Sequence, residues 1–159
     1  MQATTLCFLV KEGEVVLAMK KRGFGAGKWN GVGGKVEPGE DIKESARREI
    51  KEEAGVEATI DGLELVGRLE FLFDGKHQWD QEVWVFLVHA WVGDPCETEE
   101  MQPRWYRQEQ LPFAQMWVDD PYWVPLVLAG KKIKARFLFG EDGAKLLDFS
   151  VNEVPTLPS

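Results

Sequence analysis

The chain has 159 residues, of which 44% are hydrophobic and 11% aromatic, so residues 1–159 are expected to form one folded domain rather than a disordered segment. No apolar run reaches the roughly 18 residues of a membrane span and no secretory signal is recognisable, so we expect a soluble, cytoplasmic protein. A formal net charge of −8 argues against nucleic-acid polymers as partners, and two widely separated cysteines argue against a disulfide framework or a zinc site.

The first half of the chain predicts a hairpin, an irregular segment and a helix. Apolar stretches at residues 4–10 and 14–20 flank a Glu-Gly turn. Residues 22–34 contain six glycines and are predicted to be irregular. Residues 41–54 are predicted as a helix, because apolar side chains recur every fourth residue and Gly55 can cap the C-terminus.

The second half predicts five strands and one short helix. The strands are predicted at residues 64–73, 82–92, 103–107, 132–139 and 144–151. Residues 120–129 are predicted as a helix whose first turn is delayed or kinked by Pro125. The complete order predicts an α/β (α+β) fold, in which a mixed β-sheet is flanked by helices as an α/β/α sandwich.

Three carboxylates of the first predicted helix, those of Glu49, Glu52 and Glu53, fall within roughly 100° of one another around the helix axis. Like charges at this spacing destabilise a helix by roughly a few tenths of a kcal/mol per pair. Arg48 lies four residues before Glu52 and can hold its carboxylate, but one guanidinium cannot balance three acids. Mg²⁺ can, because it prefers oxygen ligands, and a backbone carbonyl near Gly33 could complete the site. The alternative is a solvated acidic face, the commoner meaning of a Glu-rich helix.

The spacing around these carboxylates matches the Nudix box, a glycine and a glutamate followed by the run Arg-Glu-hydrophobic-X-Glu-Glu-X-Gly-hydrophobic. The matching residues are Gly34, Glu40, Arg48, Glu49, Ile50, Glu52, Glu53, Gly55 and Val56. The chain therefore resembles the Nudix hydrolases, which cleave nucleoside diphosphates linked to another moiety. The resemblance implies the Nudix fold and Mg²⁺, with Mn²⁺ as an alternative, held by the box glutamates.

A longer likeness covers nearly the whole chain. Residues 19–36, 99–106 and 111–128 are similar to the Nudix hydrolases of the MutT-homologue type, which convert 8-oxo-dGTP and 2-hydroxy-dATP to the monophosphate and pyrophosphate. This likeness implies a small-molecule nucleotide substrate and sanitation of the nucleotide pool, and we expect a monomer. The chain departs from it in residues 74–81, where Trp79 appears, and at Val118 and Pro121, so we expect a difference in pocket shape rather than in chemistry.

The same resemblance implies the functional residues. The catalytic residues would be Arg48, Glu49, Glu52 and Glu53, with Glu53 the leading candidate to activate water. The metal ligands would be the Gly33 carbonyl and Glu49, Glu52, Glu53 and Glu100. Lys20 would contact the nucleotide, and the base pocket would comprise Thr5, Leu6, Asn30, Phe71, Phe73, Trp117, Asp119, Asp120 and Trp123.

The Trp117 and Asp119-Asp120 cluster also has a purely structural interpretation. Asp120 before Pro121 is typical of a helix N-cap, and Trp117 could be a core residue. A purine, however, needs an aromatic surface for stacking, worth roughly 1–3 kcal/mol, and polar groups such as Asn30 for its edges. Two adjacent acids in an apolar pocket should not both ionise, so one can donate to a purine carbonyl.

Three functions fit the Nudix box. The first is the hydrolysis of oxidised purine nucleoside triphosphates, and the second is the same chemistry on a dinucleoside polyphosphate, a capped RNA or a nucleotide sugar. The third is a non-catalytic nucleotide sensor, against which the complete set of box residues argues, because a sensor could lose them.

Overall fold

The computed structural model describes residues 1–158. Within them the elements follow in the order β1 (Gln2–Lys11), β2 (Glu14–Lys20), β3 (Trp29–Asn30), α1 (Ile42–Ala54), β4 (Glu57–Ala58), β5 (Leu63–Phe73), β6 (Gln81–Val88), β7 (Trp91–Val92), β8 (Met101–Arg107), α2 (Asp120–Leu128), β9 (Lys132–Phe139) and β10 (Leu146–Val154). Short 3₁₀ turns occur at Ile60–Gly62, His77–Trp79 and Phe113–Gln115.

One mixed sheet organises the described chain. Its strand order is β10-β9-β5-β6-β1-β2-β3, with β8 also paired to β2, while β4 and β7 form a separate pair. β1 is central and runs parallel to β6, from Gln2 opposite Gln81 to Leu9 opposite Val88. Its six consecutive buried residues explain why it reads as a continuous apolar run rather than as an alternation.

The two α-helices pack on opposite faces of this sheet, each over its own apolar core. On one face, Ala46 and Ile50 of α1 join buried residues of β1, β2 and β6. On the other face, Trp123 and Val127 of α2 pack with buried residues of β1, β5, β6 and β9. The predicted α/β/α sandwich is therefore confirmed.

Helix α1 agrees closely with its prediction, because the N-cap, the C-terminal glycine and the apolar stripe all have the roles expected from the sequence. Asp41 Oδ2 accepts a hydrogen bond from the Glu44 backbone N–H at the N-terminus. Gly55 takes φ 74° and donates its N–H to the Lys51 carbonyl. The apolar stripe faces the sheet, which leaves the carboxylate arc along its edge.

Helix α2 differs from its prediction in two respects. The helix begins at Asp120 and contains Pro125, so the predicted delay of the first turn does not occur. Pro125 is the sixth of the nine residues of the helix, and its missing N–H removes one hydrogen bond from the helix interior. The alternative that Asp120 is the helix N-cap is also wrong, because Asp119 occupies the cap position and makes no capping hydrogen bond with its side chain.

Several strand boundaries differ from their predictions because of the way the strands pair. The predicted strand at 82–92 divides, since β6 ends at Val88 and residues 91–92 turn away to pair with β4. The segment predicted to be irregular contains the two-residue strand β3, which pairs with the end of β2. The last strand begins two residues later than predicted and continues to Val154.

Candidate functional site

The glycine-rich segment runs antiparallel to β1 and passes close to α1. Thr5 N–H donates to the Gly34 carbonyl over 2.9 Å, and Cys7 and Val32 exchange backbone hydrogen bonds. A Cβ at Gly33 would stand 2.0 Å from the Thr5 carbonyl oxygen, and one at Gly34 would stand 2.6 Å from the Glu49 carboxyl carbon. Both positions therefore need glycine because the backbone must lie against β1 and the α1 carboxylates.

Glu53 is the buried member of the carboxylate arc, with 7% of its surface exposed. Its Oε1 accepts a hydrogen bond of 2.8 Å from the Gly33 backbone N–H. Burial raises the pKa of the Glu53 carboxyl to about 7, and the charges of Glu49 and Glu100 act in the same direction. A carboxyl with this pKa can take and return a proton near neutral pH.

Arg48 holds the other acids of the box. Its Nε and Nη2 donate to the two oxygens of Glu40 over 2.8 and 3.0 Å, and its Nη1 donates to Glu49 over 2.9 Å. Glu52 Oε1 lies farther away, 3.5 Å from Arg48 Nη1, and its side chain is more exposed than that of Glu49. The hydrogen bond from Arg48 lowers the pKa of Glu40 to about 2. The guanidinium therefore contacts Glu49 and Glu40 more closely than the Glu52 expected from the four-residue spacing.

The expected metal ligands are drawn from two parts of the chain. Glu49, Glu52 and Glu53 lie on α1, and Glu100 from the loop before β8 is near enough for its charge to raise the pKa of both Glu49 and Glu53. As the side chains of residues 1–158 stand, no three acidic, histidine or cysteine groups form a ready cluster for a cation. Glu49 instead contacts Arg48. The ligand set remains a prediction.

A cavity of about 270 Å³ opens beside Glu53 and Gly33, between the sheet and the segment before α2. Nine of the ten predicted pocket residues line it: Thr5, Leu6, Lys20, Asn30, Phe71, Phe73, Trp117, Asp119 and Asp120. Trp123 is the exception, because it is fully buried and packs edge-on against Phe8. Its indole N–H donates to Asp119 Oδ2 over 2.7 Å, so it orients a pocket residue from behind.

The two aspartates lie side by side at the start of α2, with only 1% and 2% of their surfaces exposed. Asp119 accepts the hydrogen bond from Trp123, and Asp120 Oδ2 accepts one of 3.1 Å from the Trp117 backbone N–H. Burial raises the pKa of Asp119, and burial together with the Asp119 charge raises the pKa of Asp120 well above its ordinary value. Two adjacent buried acids of this kind favour a state in which one is protonated.

An aromatic cluster borders the cavity. Phe24, on the glycine-rich loop, lies 5.2 Å from Trp117 and 5.6 Å from Trp79 between ring centroids. Trp79 packs edge-on against Phe73, and the Lys28 ammonium lies 5.4 Å from the centre of the Trp117 ring. Trp79, the residue in which the 74–81 segment departs from the resemblance, therefore supports the rim of the pocket.

The sequence prediction missed several cavity residues. These are Thr4, Ala18, Phe24, Gly25, Lys28, Gly31, Gly34, Lys35, Gln81, Val83, Met101 and Phe139. Alternation along strands offered a partial signal, because Thr4 shares the face of Leu6, which was predicted to line the pocket. The contribution of Phe139 depends on the pairing of β9 with β5, which places it opposite Phe73.

Replacing Gly34 by alanine should displace the Glu49 carboxylate, because the added Cβ would meet its carboxyl carbon at 2.6 Å. We expect kcat to fall at least about tenfold, since small misplacements of catalytic groups are costly. The melting temperature should change little, because the end of the Glu49 side chain can move. Gly140→Ala is the matched control, as its Cβ would meet nothing closer than 3.6 Å. A Gly34→Ala enzyme with parental kcat would show that the position of Glu49 is unimportant.

Comparison with known proteins gives one consistent family. Residues 1–127 match the NUDIX domain. The chain is 44% identical to the oxidized purine nucleoside triphosphate hydrolase of Danio rerio over 154 residues, which cover 96% of each chain. It is 45% identical to the protein of the same name from Mus musculus over 150 residues, or 94% of each chain.

Solved structures agree with these relatives. The mutator MutT protein from Bacillus halodurans superposes with a TM-score of 0.83 at 26% identity, covering 96% of this chain and 98% of that chain. The MutT NUDIX hydrolase from Burkholderia pseudomallei gives a TM-score of 0.63 at 26% identity, covering 70% of this chain and 86% of that one.

Proposed function

The chain belongs to the Nudix hydrolase family, and from this premise we propose that it hydrolyses oxidised purine nucleoside triphosphates to the monophosphate and pyrophosphate. The substrates proposed are 8-oxo-dGTP and 2-hydroxy-dATP, so the enzyme would remove damaged nucleotides from the pool. The observation that carries the proposal is an aromatic-walled cavity that holds two buried aspartates and opens directly beside Glu53.

Members of this family generally need a divalent metal ion. We propose Mg²⁺, or Mn²⁺ in its place, held by the Gly33 carbonyl and the carboxylates of Glu49, Glu52, Glu53 and Glu100. These ligands suit Mg²⁺, because all of them are oxygen atoms. A cation would also offset the negative charges of Glu49 and Glu100, which together with burial raise the pKa of Glu53. When bound, such an ion polarises the triphosphate and offsets charge in the transition state.

The residues of this chain would divide the remaining work. Glu53 takes a proton from water as the water oxygen bonds to the β-phosphorus and the bridging α–β P–O bond breaks, which releases the monophosphate and pyrophosphate. Arg48 positions Glu49 and Glu40 through its hydrogen bonds to their carboxylates. Lys20, which lines the same cavity, would contact the nucleotide.

The base would be recognised by stacking and by a shared proton. Trp117 offers an aromatic surface, while the neutral member of the Asp119 and Asp120 pair donates to a purine carbonyl and the ionised member accepts from a purine N–H. Asn30 Oδ1 already accepts from the Gly31 N–H over 2.8 Å, so its amide N–H₂ is the group offered to the base. A pocket with one movable proton suits two differently oxidised purines.

The deciding experiment is kcat/KM for 8-oxo-dGTP, 2-hydroxy-dATP, dGTP, a dinucleoside polyphosphate and a nucleotide sugar at one Mg²⁺ concentration. One or two unpaired polar groups cost about 1–3 kcal/mol each, so we expect a preference of roughly ten- to several-hundredfold for 8-oxo-dGTP over dGTP. Equal efficiency on dGTP, or preference for another phosphate anhydride, would reject the sanitising role. No turnover of any of them would favour a nucleotide sensor.

Two variants separate stacking from polar recognition in this assay. Trp117→Ala should lower kcat/KM for 8-oxo-dGTP and dGTP by similar factors of about tenfold, because stacking does not distinguish the two bases. Asn30→Ala should instead compress the preference between them, because an amide that reads the base edge is lost. A compressed preference in Trp117→Ala with an unchanged one in Asn30→Ala would reverse these roles.

We further propose a single domain over residues 1–159, a monomer, a cytoplasmic location and no role for nucleic-acid polymers or membranes. The net charge of −8 supports the exclusion of polymers. In the described part of the chain, no helix has the length and apolar character to cross a membrane.

A further inference from the structure

Gln81 is a polar residue of the cavity floor. It is the first residue of β6, where it lies opposite Gln2 of β1 and Phe71 of β5. Its side chain is half-buried and lines the cavity together with Phe71 and with Val83, two residues further along β6. Side chains two apart on a strand share a face, so the carboxamide is presented on the same surface as the aromatic floor.

The Gln81 amide oxygen faces a neighbouring hydroxyl. Thr4 Oγ1 lies 3.4 Å from the Glu82 carbonyl oxygen and 3.5 Å from Gln81 Oε1, so its single proton is shared between two acceptors. Within residues 1–158 the Gln81 amide nitrogen donates no hydrogen bond to protein. Asp119 and Asp120, by contrast, each accept a hydrogen bond from a neighbouring N–H.

We propose that Gln81 is a specificity-determining residue whose amide N–H₂ donates to the 6-oxo oxygen of a guanine-derived base. This inference rests on the proposed function and extends it to one further side chain. A guanine-derived base presents a 6-oxo acceptor where an adenine-derived base presents a 6-amino donor. An N–H₂ group turned toward the base therefore favours 8-oxo-dGTP over 2-hydroxy-dATP.

The test compares Gln81→Met with the parent enzyme on both nucleotides. Methionine keeps the unbranched length of glutamine but offers no donor. We expect kcat/KM for 8-oxo-dGTP to fall about fivefold or more relative to 2-hydroxy-dATP, the size of one lost hydrogen bond, mainly through KM. Gln81→Leu should change the ratio in the same direction.

Gln2→Met is the matched control. Gln2 pairs with Gln81 across β1 and β6, but its side chain donates to the Val36 carbonyl over 3.2 Å and lies outside the cavity. Its substitution should leave the ratio between the two nucleotides at the parental value.

Three results would overturn the inference: an unchanged ratio in both Gln81 variants, an equal loss on both nucleotides with a lowered melting temperature, or a greater loss on 2-hydroxy-dATP. The preference of the parent enzyme for 8-oxo-dGTP over dGTP tests the proposed function separately. If that preference is found and the ratio between the two oxidised nucleotides does not respond to Gln81, this inference fails and the proposed function stands. If the parent enzyme hydrolyses neither oxidised nucleotide, the inference about Gln81 and the proposed function are both rejected.

Discussion

Replacement of Glu53 by glutamine is expected to lower kcat for 8-oxo-dGTP by at least about a hundredfold while the protein stays folded. A positioned general base contributes roughly 10²–10⁴-fold to a rate, and an amide cannot take the proton. Folding should survive, because the amide oxygen can still accept the Gly33 N–H that Glu53 Oε1 accepts over 2.8 Å. The measurement is kcat together with a melting curve for each protein.

Glu44→Gln is the control for this variant. Glu44 lies on the same helix, but it is exposed and pairs with Arg47 rather than facing the cavity. Its loss should leave kcat unchanged within about twofold and cost less than about 1 kcal/mol of stability. If Glu53→Gln retains activity within about tenfold of the parent, Glu53 is not the base, and Glu52 or Glu100 becomes the better candidate.

The buried aspartate pair should make both stability and base preference depend on pH. Because burial raises the native pKa of Asp119 and Asp120 above the unfolded value of about 4, the native protein binds protons that the unfolded chain releases. The free energy of unfolding should therefore fall as pH rises from about 4 through the raised native range. A tenfold difference in proton affinity between the native and unfolded states is worth about 1.4 kcal/mol of stability, so the effect is large for a buried group.

Asp120→Asn should flatten this dependence, because an amide carries no proton to release. The measurement is urea unfolding of the parent and the variant between about pH 4 and 9. Asp61→Asn is the control, since Asp61 is exposed and its removal should leave the slope unchanged. A variant with the parental pH dependence would show that Asp120 ionises normally in the folded protein.

The Asp119 and Asp120 pair should also set the ratio of kcat/KM for 8-oxo-dGTP to kcat/KM for 2-hydroxy-dATP. Their kcat/KM values should depend differently on pH between about 5 and 9, since the bases present different donors and acceptors. Asp119→Asn should then change the ratio by about tenfold, the cost of one mismatched hydrogen bond to a buried polar group. Parallel pH profiles and an unchanged ratio in Asp119→Asn would mean that Asp119 does not read the base.

The elements that the sequence predicted well are those specified by neighbouring residues. Helix α1 carries its N-cap, its four-residue apolar repeat and its C-terminal glycine within 15 residues, and the structure uses all three. The strand predicted at 132–139 matches β9, and β5 begins only one residue before the strand predicted at 64–73. Both predictions succeed because alternation of apolar residues and flanking turn residues mark these strands. The Nudix resemblance and the fold class are both confirmed.

Other features depend on which strands become neighbours. The parallel pairing of β1 with β6 brings Gln81 beside Gln2, 79 positions earlier in the chain, and nothing local to either residue specifies that contact. The division of the strand predicted at 82–92 has the same cause, because residues 91–92 find their partner in β4. The family resemblance placed Trp123 in the pocket, yet its side chain is fully buried in the core.

The sequence by itself determined the chemical groups of this protein: the carboxylate arc on one helix, the glycines before it, and the aromatic and acidic residues near Trp117. These follow from the periodicity of a helix and from residue type, both of which are local properties. Only the tertiary structure decided that Glu53 is the buried carboxyl, that Arg48 contacts Glu49 and Glu40, and that Gln81 lines the cavity. Burial, and the changes in pKa that follow from it, arise when distant segments exclude water from the same place, which no local pattern specifies.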